Sequence, residues 1–122
     1  IGTDVSGVGT ARQSLAACTF GGDKAIFGFG KDGSNETSIT NLVSNVGVVA
    51  ANTNGVGAAR EKLGACSFGG DKGIFAFGVD NGGGGRVSTS NLVSNVGVVA
   101  SNTTGVGSVT NRLGAAGFSF SA

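Results

Sequence analysis

Ten consecutive residues, Asn41-Leu42-Val43-Ser44-Asn45-Val46-Gly47-Val48-Val49-Ala50, recur unchanged at positions 91–100. A chain that copies itself at a fixed period folds as repeated supersecondary units, each burying an apolar face against its neighbour. The copying extends well beyond the decapeptide. Gly7-Val8-Gly9-Thr10-Ala11-Arg12 returns as Gly55-Val56-Gly57-Ala58-Ala59-Arg60, and a third time as Gly105-Val106-Gly107. The stretch from Cys18 to Gly30 matches that from Cys66 to Gly78 except at Thr19/Ser67, Ala25/Gly73 and Gly28/Ala76. We therefore read the 122 residues as one repeat domain, with units at 1–48 and 49–98 and half of a third at 99–122.

Each unit reads as short strands. Leu15 to Phe20 is an apolar run, Gly21-Gly22-Asp23-Lys24 is turn chemistry, and Ala25 to Phe29 is a second run. Phe27 and Phe29 alternate, which is expected to put both rings on one face of a strand. Ile39 to Val43 and Val46 to Val49 are third and fourth runs, separated by Ser44-Asn45. Four short runs between turn signals predict an all-β fold of antiparallel strands. The seven phenylalanines of the repeats, Phe20, Phe27, Phe29, Phe68, Phe75, Phe77 and Phe118, are expected in the core.

Composition then narrows the function classes. There are 25 Gly and no Pro, His, Met, Trp or Tyr. So much Gly suggests a flexible linker, but 39% hydrophobic content argues against disorder, and the glycines fall at turns, strand ends and repeat joints. Eight Lys/Arg against seven Asp/Glu leave a net charge of +1 and no basic face for nucleic acid. The longest apolar runs fall far short of a membrane-spanning helix, so membrane insertion is not expected. Without Met at its start, the chain reads as processed or as a segment of a longer array.

Catalysis is not expected. Without His, none of the common triads can be built, and Asp23 and Asp32 simply recur as Asp71 and Asp80. Asp32-Gly33-Ser34-Asn35-Glu36 is oxygen-rich, but its counterpart after Asp80 keeps one acid, and it is not read as a calcium site. Cys18 and Cys66 occupy equivalent positions where the third copy has Ala116, so buried free thiols are expected, and no metal or cofactor. The candidates for ligand contact lie on one rim and in the two loops that differ between copies, 31–38 and 79–88: Arg12, Arg60, Arg112, Asp32, Asn35, Asp80, Asn81 and Arg86. For the arginines, a bond between repeats to a carbonyl or an Asp is the expected structural role.

Arg12…Leu15…Gly21-Gly22…Ile26-Phe27-Gly28-Phe29-Gly30 resembles the kelch unit, one blade of a β-propeller, although a single Gly30 and no Trp stand where kelch has Gly-Gly and Trp. Across nearly its whole length, in the blocks Gly7–Arg12, Leu15–Gly30 and Thr40–Ala50, the chain is similar to Gly-rich tandem repeats of virion and tail-fibre-like proteins from marine and cyanobacterial bacteriophages. That resemblance implies a virion or extracellular protein with a structural or host-attachment role. The kelch resemblance implies propeller blades, with a stacked β-solenoid as the alternative. Propellers need about four to eight blades, so copies of the chain are expected to associate into a homo-oligomer or fibre. The alternative function is an oligomeric propeller lectin that binds host cell-surface glycans between its blades.

Overall fold

The computed structural model describes residues 2–80 and 85–110. Its secondary structure is all β, without a helix among the described residues. Strands β1 (Ala16–Phe20), β2 (Lys24–Gly28) and β3 (Thr40–Val43) form an antiparallel sheet in the order β1-β2-β3. Strands β4 (Gly64–Phe68), β5 (Lys72–Ala76) and β8 (Ser90–Val93) form its counterpart, and β6 (Val79–Asp80) pairs with β7 (Gly85–Arg86) in a small hairpin inside the variable loop. Cys18 lies opposite Ile26 and Cys66 opposite Ile74, so the two sheets share one register. Among the described residues no sheet closes on itself.

The β1–β2 turn is the expected one, with Gly21 and Gly22 both at positive φ. The fourth run differs from expectation. Ser44 Oγ accepts from the amides of Val46 and Val48, and Gly47 N–H donates to Ser44 O at 3.0 Å. That local turn consumes the donors a strand would use. The run therefore meets β3 only at single bridges, Val43 with Val49 and Thr40 with Thr53, repeated as Val93 with Val99 and Ser90 with Thr103. Each sheet thus has three strands and an irregular fourth edge.

The two alternating phenylalanines also depart from expectation. Strand β2 ends at Gly28, and Phe29 has a φ of 62°. This left-handed residue breaks the alternation of side chains, so Phe27 is 40% exposed while Phe29 is fully buried. Phe77 repeats the turn with a φ of 65°.

The sheets stack face to face. Cys18, Phe20, Ile26 and Gly28 of the first sheet cover Gly73 and Phe75 of the second. The approach is close because each contact sets a glycine of one sheet against a larger side chain of the other. A Cβ on Gly73 would lie 2.6 Å from Cys18 Sγ, and one on Gly28 would lie 2.8 Å from Phe75 Cζ. The Phe29 and Phe75 rings meet edge-on, with centroids 5.1 Å apart. Backbone bonds pin the stack: Gly21 N–H to Asp71 O at 2.6 Å, Gly30 N–H to Arg60 O at 2.8 Å, and Lys62 N–H to Ser14 O at 2.8 Å. The core formed this way comprises Cys18, Phe20, Ile26, Phe29, Leu63, Phe75, Val93 and Val99. Each large member contributes about 1.5–3 kcal/mol by leaving water.

Stacking makes equivalent residues unequal. Phe75 is fully buried while its equivalent Phe27 is open, and Phe20 is 3% exposed while its equivalent Phe68 is 38% exposed. The expectation of a phenylalanine core therefore holds for Phe20, Phe29 and Phe75 and fails for Phe27 and Phe68, whose faces have no sheet against them among the described residues. Phe77 is half-buried, and Phe118 lies outside the described residues.

Candidate functional site

The repeated arginine sits just before the first strand of each unit and is held by the ends of the next two strands. The Arg12 guanidinium donates to Phe29 O at 3.0 Å, to Ile39 O at 2.7 Å and to Asn41 Oδ1. Arg60 donates to Phe77 O at 2.9 Å, to Ala58 O at 3.1 Å and to Asn91 Oδ1 at 2.9 Å. These partners belong to the arginine's own repeat, not to a neighbouring one as expected. The guanidinium ties together the strand end where Phe29 or Phe77 turns away and the start of the third strand.

What differs between the two sites is the cover. Phe29 of the first repeat lies over the Arg60 guanidinium at 4.6 Å, and Arg60 has no exposed surface. Burial lowers its pKa to about 10 against the opposing pull of the Asp80 carboxylate. Burial also lowers the pKa of Arg12, which remains half-buried. Arg12 lines an open pocket of about 350 Å³ with Ala11, Gln13, Lys31, Asp32 and Gly33. Two of the expected contact residues, Arg12 and Asp32, are thus brought together. Asn35 closes the same loop, its N–H 3.4 Å from Asp32 Oδ1 and its carbonyl accepting from Asp32 N–H at 3.0 Å.

In the second repeat, Asp80 lies in β6 and Arg86, exposed, in β7, in a loop two residues longer than that of the first repeat, whose Lys31–Glu36 bridge is the counterpart of Val79–Arg86. Asn81 and Arg112 lie outside the described residues. Thr110 accepts from Gly78 N–H at 3.0 Å, as Arg60 O accepts from Gly30 N–H, so Thr110 stands at the arginine position of the third copy.

Sequence reasoning missed the asparagines. Asn41 Nδ2 donates to Ala50 O at 3.2 Å and to Asn52 Oδ1 at 3.0 Å, and Asn52 Oδ1 also accepts from Thr10 N–H at 3.3 Å. Asn91, Asn102 and Ala58 repeat this relay. The signal was present: an amide inside an apolar run must find partners once buried, and Asn41 and Asn91 are both buried. Glu61 was missed as well. It is buried, with Lys31 Nζ at 4.0 Å and Lys62 Nζ at 3.9 Å, so it links the first repeat's loop to the second repeat.

Both cysteines are free thiols. Burial pushes Cys18 up to about 11, with the nearby Cys66 thiol adding to the effect and a backbone bond to Ile74 opposing it. At the turn tips, Lys24 and Asn45 hold the Asp23 carboxyl below its ordinary value, and Lys72 does the same for Asp71. Among the described residues no three His, Cys, Asp or Glu side chains are grouped to hold a metal. Compared with known proteins, the chain matches no family model and no curated sequence at a significant level.

Proposed function

We propose that the chain is a structural and attachment component of a phage virion, a tail fibre or appendage built from self-associating Gly-rich β-repeats. In this reading the stacked sheets are a scaffold, each unit serving as a kelch-like blade or a solenoid rung. The loops 31–38 and 79–88 contact the host surface, and the protein works without catalysis, cofactor or nucleic acid. The observation that carries the reading is the division of labour between framework and loop. Both sheets keep the same register and the same arginine–asparagine network, while the loops that close on the equivalent pairs Lys31–Glu36 and Val79–Arg86 differ in length and sequence. Variable loops on a constant scaffold are where recognition is placed. Gold-labelled antibodies against the chain should decorate the tail or an appendage of the particles in electron micrographs, and unlabelled particles would overturn the assignment.

A second reading, glycan binding, is favoured by the polar pocket that gathers Arg12, Gln13, Lys31 and Asp32. Selective binding on a glycan array, lost on Asp32→Ala with folding intact, would move the assignment to a lectin.

A further inference from the structure

We propose that Asn54, in the joint between the two repeats, is a site of spontaneous deamidation to isoaspartate, a covalent modification that lengthens the backbone linking the two sheets.

Asparagine is a labile residue where its side-chain amide has no partner, the next backbone N–H is free to attack it, and the next residue has no side chain to screen the approach. Asn54-Gly55 meets all three conditions. The framework asparagines are engaged: Asn41 and Asn91 hold the arginines, Asn52 and Asn102 accept from the amides of Thr10 and Ala58, and Asn45 donates to Asp23 Oδ2 at 3.0 Å. Each of these is followed by a residue with a side chain. Among the described residues no hydrogen bond engages the Asn54 side chain or the Gly55 N–H.

Asn54 is exposed and lies outside any strand, although the second repeat follows it directly. A repeat ahead of the first would not cover it either. Thr104, the equivalent position one repeat on, has the first repeat standing in that place and is exposed as well.

In the reaction, hydroxide takes the Gly55 amide proton and the nitrogen attacks Asn54 Cγ. The bond from Cγ to the side-chain nitrogen breaks, ammonia leaves with a proton from water, and a cyclic succinimide remains. Water then opens the ring at either carbonyl. Opening at the α-carbonyl gives isoaspartate, and opening at the other gives aspartate.

Isoaspartate routes the main chain through the side chain and adds one methylene, about 1.5 Å of chain. The joint has no slack for it. Upstream, Thr53 N–H donates to Thr40 O at 2.8 Å and Thr53 O accepts from Thr40 N–H at 3.2 Å. Downstream, Gly55 is seated where a Cβ would collide with Ser38 Oγ, and Gly57 where one would collide with Asn91 and Asn102. One of these contacts must give, so the link between the sheets loosens. The new carboxylate also takes the net charge from +1 to zero, which removes what little charge opposes association.

Peptide mapping of the full chain, aged folded in neutral and in mildly alkaline buffer, tests this. Trypsin places Asn54 in peptide 32–60 and the sequence's other Asn-Gly pair, Asn81-Gly82, in peptide 73–86. Peptide 32–60 should gain about 1 Da, at Asn54 by fragmentation, and should accept methyl groups from an isoaspartate methyltransferase. The rate should rise in proportion to hydroxide, and Asn54→Gln should abolish the gain. In an Asn81→Gln background, the isoaspartate fraction should unfold at lower urea than the fresh chain. Asn54→Asp, with the same charge and no added methylene, should unfold like the fresh chain. A peptide 32–60 that keeps its mass in the folded chain while the urea-unfolded chain converts would overturn the proposal. So would a gain placed at Asn35, Asn41, Asn45 or Asn52, or an isoaspartate fraction as stable as Asn54→Asp.

Discussion

Replacing Arg60 by alanine should destabilise the protein far more than the same change at Arg12, although the two residues are copies of each other. Arg60→Ala removes the donors of Phe77 O, Ala58 O and Asn91 Oδ1, the first two partly buried and the last fully so, from a guanidinium with no exposed surface. An acceptor left unpaired in the interior costs about 1–3 kcal/mol. Loss of the Phe29 ring contact adds about 1–2 kcal/mol. Removing a desolvated charge returns part of this, as does the Arg60 Nη2, which is buried without a hydrogen-bond partner. The expected net loss is about 3 kcal/mol, a large share of the roughly 5–15 kcal/mol that holds a domain of this size. Arg12 makes a similar set of bonds, but water reaches its pocket and can replace the lost donors, so Arg12→Ala should cost about 1 kcal/mol. Urea unfolding followed by far-ultraviolet circular dichroism measures both, since the chain has no Trp or Tyr for fluorescence. Equal losses at the two positions, or a larger loss at Arg12, would refute the argument that stacking sets the energetics of the arginine.

Two further outcomes follow from the same interface. Gly73→Ala should destabilise by about 1–3 kcal/mol, because its methyl would meet Cys18 Sγ, and Cys18→Ala should relieve most of that loss in the double variant. A denaturation cycle with additive losses would contradict the contact. Stability should also fall as pH rises from about 9, the ordinary thiol value, to about 11, the value of buried Cys18. The sign follows from the raised native value: below pH 9 both states hold the proton, and above it the unfolded chain releases the proton while the native thiol retains it. Cys18→Ala should flatten this alkaline limb, and an unchanged limb would assign it to another group.

Much of the fold was legible because turns and repeats are local. The β1–β2 hairpin was visible in Gly21-Gly22, and the shared register was visible in the near-identity of residues 18–30 and 66–78. The fourth run was not, because Val46 to Val49 is apolar enough for a strand and only the Ser44 hydroxyl decides that it closes a turn. The facing of Phe27 and Phe29 was misjudged because a non-glycine residue at positive φ leaves no mark in a hydrophobic pattern. For the site, the repeated arginines stood out, but their amide partners did not, since Asn41 and Asn91 sit inside runs that read simply as strand. Least legible was the difference between copies. Phe27 and Phe75 have nearly the same neighbours in sequence, and their burial is set by whether another sheet lies on top.

That last point is the centre of the account, and thiol reactivity tests it most directly. Cys18 is buried at the closed face, and Cys66, its equivalent, is partly exposed. Native chain treated with a thiol reagent, with Cys66→Ala to assign the phases, should show Cys66 reacting quickly and Cys18 reacting only as fast as the protein opens. Equal rates for the two cysteines would mean that the repeats do not stack as described.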